Sequence, residues 1–329
     1  MREFRYERPA DVSSAVTALA GSPNGRFLAA GTNLVDHMRL GIATPDLLVD
    51  VRQLTSDQIT ELSDGSIRIG AAVRNSELAA DRRIRRRYPM LSEALLSGAS
   101  GQLRNVATTG GNLLQRTRCV YFQDLTTACN KRQPGTGCSA IDGYNRDHSI
   151  FGASEHCVAT HPSDMAVAMV ALDAKLRTQG PDGERSLPLI ELHRLPGDQP
   201  DRDNMLNHGE LITAIDIPPL GFVTNSRYRK VRDRASYAFA LVSLAAALDV
   251  ADGVVRDVRL ALGGVAHKPW RATKAEEALR GVPANEDNFR AAAQAELADA
   301  QPLSGNAFKV PLARNVITRM LLDLAEEAR

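Results

Sequence analysis

Four cysteines carry the most specific chemistry in the chain. Cys119, Cys129, Cys138 and Cys157 fall inside a 39-residue window with the pattern C-x9-C-x8-C-x18-C, and the 329 residues hold no other cysteine. Four thiolates suit a tetrahedral zinc ion or a [4Fe-4S] cube, and the spacing differs from the paired C-x2-C of a zinc ribbon. Unligated thiols or two disulfides are the remaining readings, the latter being typical of small secreted domains. Pro134-Gly135-Thr136-Gly137 and Gly143 let the segment fold round a compact ligand and offer N–H groups to its sulfurs. His156 and His161 are close enough in sequence to act as substitute ligands, or else are ordinary loop histidines.

Two glycine turns flank this chemistry. At Leu28-Ala29-Ala30-Gly31-Thr32-Asn33-Leu34 a strand ends, glycine permits a tight bend, and a helix begins. Successive N–H groups at such a junction favour an anion such as phosphate. Thr108-Thr109-Gly110-Gly111-Asn112 is richer in donors, and two adjacent glycines allow close backbone approach to a ligand. Each turn alone also reads as a plain connection. Together they suggest two grips on one pyrophosphate, although neither is a G-x-G-x-x-G or Walker fingerprint. Lys230, on a strand after Pro218-Pro219, is either a solvated lysine or a cation aimed at a ligand.

These residues require a mixed scaffold. Helices are expected at 11–19, 34–40, from a cap at Asn75, and at 90–96, 164–172, 272–279, 285–297 and 310–328. Strands are expected at 27–30, 47–51, 210–217, 228–232, 239–250 and 254–262, with hairpins at Asp64-Gly65 and Pro181-Asp182-Gly183. The run Arg82, Arg83, Arg85, Arg86, Arg87 is a solvated helix face or a dock for an acidic partner. The fold class is therefore α+β, and several hairpins exclude an all-parallel doubly wound sheet.

Bulk properties exclude some functions. At 43% hydrophobic and 24% charged, with no run long enough to span a bilayer, membrane insertion is not expected. A formal charge of +1 supplies no global attraction for nucleic acid. Met1-Arg2-Glu3-Phe4-Arg5-Tyr6 lacks the apolar core of a signal peptide, so periplasmic export is expected only as a passenger on a signal-bearing partner, with the cytoplasm as the alternative.

Taken together, A-A-G-T-N-L, L-R-N-V-A-T-T-G-G-N-L, S-D-M and Y-R-K-V-R-D-R-A-S-Y-A-F-A resemble the FAD-binding medium subunits of the molybdenum hydroxylases, a family that includes xanthine dehydrogenase and carbon monoxide dehydrogenase. The surroundings of the cysteines, Q-R-T-R-C, C-N-K-R and C-V-A-T-H-P, resemble the bacterial heterotrimeric aldehyde oxidoreductase branch, whose FAD subunit carries an extra [4Fe-4S] cluster. The resemblance implies a vanillyl-alcohol-oxidase-type FAD fold with two α/β subdomains, 1–55 and 56–220, and a cluster loop inserted at 113–160. A C-terminal domain, 221–329, of antiparallel sheet with helices completes it. Carried over by motif, Arg26, Phe27, Leu28, Ala29, Ala30, Gly31, Thr32, Asn33 and Leu34 wrap the FAD pyrophosphate. Thr108, Thr109, Gly110, Gly111 and Asn112 contact it from the other side. Asp164 and Ile217 touch the FAD, Lys230 faces the flavin ring, and Tyr228 stacks nearby. The four cysteines hold the cluster.

The implied partners are a molybdenum-cofactor large subunit and a [2Fe-2S] small subunit, whose electrons would pass through FAD to an external acceptor such as a quinone, a carrier protein, dioxygen or NAD⁺. The rival readings are a stand-alone FAD oxidase with its own substrate pocket, and a zinc-braced interaction protein without redox activity.

Overall fold

The computed structural model describes residues 1–327. The chain opens with β1 (Arg5–Glu7), α1 (Val12–Ala20), β2 (Arg26–Leu28), α2 (Leu34–Arg39) and β3 (Leu47–Asp50), giving a parallel sheet in the order β1-β3-β2. Asp11 starts α1 by accepting the Ser14 N–H at 2.7 Å. The β3 run L-L-V-D is buried throughout, as a central parallel strand should be.

The middle of the chain builds β4 (Ile59–Glu61) and β5 (Ile67–Gly70), then the helices α3 (Asn75–Ala80), α4 (Arg82–Arg87), α5 (Pro89–Ser97), α6 (Gly101–Arg104), α7 (Thr109–Leu113), α8 (Val120–Gln123) and α9 (Asp164–Ala171). It continues with β6 (Lys175–Gly180), β7 (Gly183–Pro188) and β8 (Leu211–Ile217), and the five strands pair antiparallel as β4-β5-β8-β6-β7. The last part holds β9 (Ser226–Val231), β10 (Val242–Ala251), β11 (Val254–Gly263) and β12 (Trp270–Arg271), an antiparallel sheet ordered β12-β11-β10-β9. It is backed by α10 (Thr273–Leu279), α11 (Glu286–Leu297) and α12 (Lys309–Glu327). The expected end of this last helix at Ala328 lies outside the described residues. The mixed α+β class and the strand reading of 239–250 match the structure, with β10 starting three residues later.

α9 is the hub. All eight of its residues are buried, because it lies between α5 on one side and β10 and β11 on the other. A helix apolar all round is stable only in such a site. Its neighbours merge two cores: the cluster around Ile67, Ile69 and Leu91 also takes in Tyr228, Ala245, Ala247 and Ala261. The second core, around Leu260, Phe289 and Ile317, reaches back to Ile150 and Phe151. Phe151 stacks on Trp270 with ring centroids 4.6 Å apart. The end of the cysteine segment is thus nailed into the C-terminal sheet.

Local details differ from the sequence reading. Asn75 does not cap α3. Its N–H is tied to the Ala107 carbonyl at 2.9 Å, and Arg74 occupies the cap position with its N–H donated to Glu77. The arginine run forms a helix of its own, because the Asp81 carboxylate accepts from the N–H groups of Arg83 and Ile84 and restarts the chain. Arg87 pairs with Glu61, while Arg82, Arg85 and Arg86 are exposed.

Gly70, where β5 ends, packs so closely that an added Cβ would lie 2.0 Å from the Ser56 carbonyl oxygen. Neither backbone is free to retreat. Gly70→Ala is therefore expected to destabilise the fold by about 2–3 kcal/mol, as overpacked core substitutions do, measured as a lowered urea midpoint with unchanged slope.

Candidate functional site

Turns and helices of the first 220 residues and the C-terminal sheet line one cleft of about 570 Å3. The β2–α2 junction supplies Thr32 and Asn33, α7 supplies Gly111 and Asn112, the first turn of α9 supplies Asp164, and β9 supplies Lys230. Beside Asp164 and Lys230 the α5–α6 turn adds Gly98 and Ala99, and α6 adds Leu103. Arg118 and Cys119 close the cleft from the cysteine segment, and Tyr237 and Phe239 stand exposed at the rim.

The two glycine turns do different work. Gly31 has φ +76°, and a Cβ there would meet Val35 Cγ2 at 2.8 Å, so only glycine fits without strain. Among the described residues, the N–H groups of Gly31, Thr32 and Asn33 make no backbone hydrogen bond. Unpartnered successive N–H groups at a glycine turn are the kind of donors that bind anions. The second turn is not an open nest. It winds into α7, with Thr108 as cap, and its donors are committed: Thr109 N–H to Val73 O at 2.9 Å, Gly110 N–H to Ala71 O at 3.0 Å, Asn112 N–H to Thr108 O at 2.9 Å. The Gly111 N–H goes to Thr108 Oγ1 at 3.3 Å. Gly110 serves packing, since its Cβ would lie 3.0 Å from that of Ala71. What α7 presents to the cleft is Gly111 and the Asn112 amide, whose Oδ1 accepts from Ser163 at 2.6 Å. The turns approach each other, because a Cβ on Gly111 would touch Ala29 at 3.9 Å.

At the far end sits a buried charged pair. Lys230 Nζ donates to Asp164 Oδ2 at 2.8 Å and to the Ser97 carbonyl at 3.2 Å, with both side chains under 10% exposed. Tyr228 donates its hydroxyl to Asp164 Oδ1 at 2.6 Å. Burial, reinforced by the Asp164 charge, pushes the Tyr228 pKa well up, so it remains a donor. Tyr228 therefore stands behind Asp164 and does not line the cleft, contrary to the stacking role suggested by sequence. Ile217 is fully buried in β8, paired with Ile67, and does not line the cleft either. Arg26 to Gly31, Leu34 and Thr108 to Gly110 lie outside its lining, in the strand and turns that carry Thr32, Asn33 and Asn112.

A second, narrow cavity of about 10 Å3 is lined by all four cysteines, so the fold brings Cys119, Cys129, Cys138 and Cys157 together. None is in a disulfide. A bridge pairs Cys129 with Cys138, and the intervening loop turns on Gly135 and Gly137, both at positive φ. Burial raises the Cys119 thiol to about 12 and the Cys157 thiol to about 11, the latter opposed by the nearby Lys131 charge. His148 Nε2 lies 3.1 Å from Cys119 Sγ. His156 also lines this cavity, partly exposed beside Glu155, whereas His161 packs against His193 with centroids 4.1 Å apart and lines the larger cleft. Among the described residues, no three His, Cys, Asp or Glu converge tightly enough for a single metal ion. The two cavities share Thr117 and Cys119 as a common wall.

Sequence reasoning did not find Gly98, Arg118, Ser163, Tyr237 or the Asp203 network. Ser163 carried a signal, being a serine directly before an apolar helix, where it caps α9. The others sit in segments without periodicity, and only chain packing brings them to the site.

Two sheets plus a helix-backed antiparallel domain, with a glycine turn and a buried lysine on one cleft, define the class. Residues 2–220 match the FAD binding domain in molybdopterin dehydrogenase, and residues 226–324 match the CO dehydrogenase flavoprotein C-terminal domain. The chain is 50% identical to the aldehyde oxidoreductase FAD-binding subunit PaoB of Escherichia coli, with 100% of both chains covered. It is 27% identical to the glyceraldehyde dehydrogenase medium chain of Sulfolobus acidocaldarius, over 87% of this chain and 84% of that one. In fold it is similar to reconstituted CO dehydrogenase from Oligotropha carboxidovorans, with a TM-score of 0.77 at 24% identity and complete coverage of both chains. The chain belongs to the family of FAD-binding molybdopterin dehydrogenase subunits.

Two outcomes follow from this geometry. Gly31→Ala is expected to weaken FAD binding at least tenfold while leaving the thiol cavity intact, read by fluorescence titration of apoprotein with FAD. Burial lowers the pKa values of His37, His193 and His267 from 6.5 to about 4 each. The unfolded chain therefore binds more protons between pH 6.5 and 4, and folding stability drops as pH falls through that window, by up to about 1.4 kcal/mol per pH unit per histidine. A urea-denaturation series across that window reads this slope, and His193→Gln is expected to flatten it.

Proposed function

We propose that the chain is the FAD-carrying electron-transfer subunit of a molybdenum-dependent aldehyde oxidoreductase. It works beside a molybdenum-cofactor large subunit and a [2Fe-2S] small subunit, and hands electrons to an external acceptor. The observation that carries this reading is the cleft itself, lined by Thr32 and Asn33, whose N–H groups make no backbone hydrogen bond, and by the buried Lys230–Asp164 pair, in a chain 50% identical throughout to an aldehyde oxidoreductase FAD-binding subunit.

Bound FAD would supply an exchange between one-electron and two-electron traffic. The residues present fit it. The Gly31–Asn33 amides suit a pyrophosphate, and Lys230 offers a fixed cation to the part of the ligand that gains negative charge on reduction. Asp164 holds that ammonium in place, Tyr228 holds Asp164, and α9 holds the backbone of Asp164. The self-contained oxidase is less well supported, because the acid and bases at the inner end of the cleft each have one polar contact within the protein. Asp164 is paired with Lys230, His148 faces Cys119, and His161 Nδ1 accepts from the Ser163 N–H at 3.3 Å.

We further propose that the four cysteines hold a [4Fe-4S] cluster. Four unpaired thiols lining one cavity support this.

An optical spectrum of the purified protein tests the whole reading. Flavin bands over a broad iron–sulfur absorption are expected, and a colourless zinc protein would overturn it. Cys129→Ser is expected to lose cluster iron and retain FAD. Loss of FAD with iron intact would show that the two sites are misplaced.

A further inference from the structure

Lys131 is a buried ammonium that the flavin site does not use. Its side chain is 1% exposed and lines the thiol cavity. Nζ donates to the Pro200 carbonyl at 2.7 Å and to Asp203 Oδ1 at 2.5 Å. Lysine is almost never buried so fully without a partner, and here the partner is shared. Asp203 also accepts from Arg116 Nε at 2.5 Å. Arg116 in turn donates its backbone N–H to Asn33 Oδ1 at 3.0 Å, in the turn that opens onto the cleft. Two cations on one carboxylate leave a net positive charge beside the thiols. Arg132 is the next nearest cation in sequence, and it is spent on the carbonyls of Tyr121, Phe122 and Thr127.

We propose that Lys131, positioned by Asp203, sets the reduction potential of the group held by Cys119, Cys129, Cys138 and Cys157. This rests on the cluster reading above. Uptake of one electron adds one negative charge inside a desolvated pocket, and a fixed ammonium on the pocket wall stabilises that charge. Net charge and hydrogen bonding near the sulfurs are the levers by which proteins tune such groups. The lysine raises the potential, and Asp203 moderates it while anchoring the loop to the flavin-side turn.

The test is a potentiometric titration of the holoprotein with dithionite, followed by electron paramagnetic resonance, alongside iron and acid-labile sulfide content. Lys131→Gln is expected to keep its iron and shift the cluster to a more negative potential. Asp203→Asn is expected to shift it the opposite way, and the double variant to return close to the parent. The flavin potential stays constant in all three. Structural damage would move both single variants in one direction, and that result overturns the proposal. An unchanged potential in iron-replete Lys131→Gln overturns it while sparing the cluster reading, whereas a parent protein without iron sinks both. If Lys131→Gln does not fold, Arg116→Gln removes the same charge one step further out; a smaller negative shift supports the proposal, and no shift overturns it.

Discussion

The buried carboxylate of Asp164 is the interaction on which the architecture turns. A carboxylate taken out of water is costly unless paired and hydrogen-bonded, and losing one partner of such a pair typically costs about 3–5 kcal/mol. Lys230 and Tyr228 satisfy both of its oxygens. Those partners lie two residues apart on one face of β9, while Asp164 opens α9. The C-terminal sheet is thereby fixed against the hub helix, and one wall of the cleft with it. The same contact explains Gly98, where a Cβ would come within 3.2 Å of Asp164 Oδ2. Packing density and charge placement are one constraint here.

The cysteine segment depends on the same principle of buried groups satisfied at a distance. It has almost no regular structure, so its backbone is held from outside. Asn306 and Lys309 donate to the carbonyls of His148 and Ser149, and Lys309 also bonds Gly264. Burial lowers the Lys309 pKa to about 8. From the other side, Asp203 receives Lys131 and Arg116. The loop is thus clamped by the C-terminal helix on one flank and by the 194–207 connection on the other, with Thr117 and Cys119 forming the partition towards the flavin cleft. Sequence proximity of the two cavities becomes a shared wall in space.

Much of the scaffold was legible from pattern. The D-G and P-D-G hairpins, the apolar run of β3 and the helical spacing of α12 each report a local preference, and each appears where expected. The gathering of the four cysteines was legible from their confinement to one segment, and the A-A-G-T-N-L turn because few residue types adopt a positive φ. The T-T-G-G-N turn was misread in its mechanism. Its glycines looked like an open backbone, yet Gly110 is there to let α7 lie against Ala71, a packing reason that no local window contains.

The sequence by itself determined the residue types on offer: four thiols in one segment, a glycine turn between a strand and a helix, a lysine on a late strand, and an α+β frame to hold them. These follow from residue type and short-range periodicity, which act within a few positions. The tertiary structure alone decided that Lys230 meets Asp164 across 66 residues, that Lys131 meets Asp203 across 72, and that Tyr228 turns away from the cleft. Long-range pairing of buried charges has no local signature. It is set by which groups the packed cores bring together once water has been excluded.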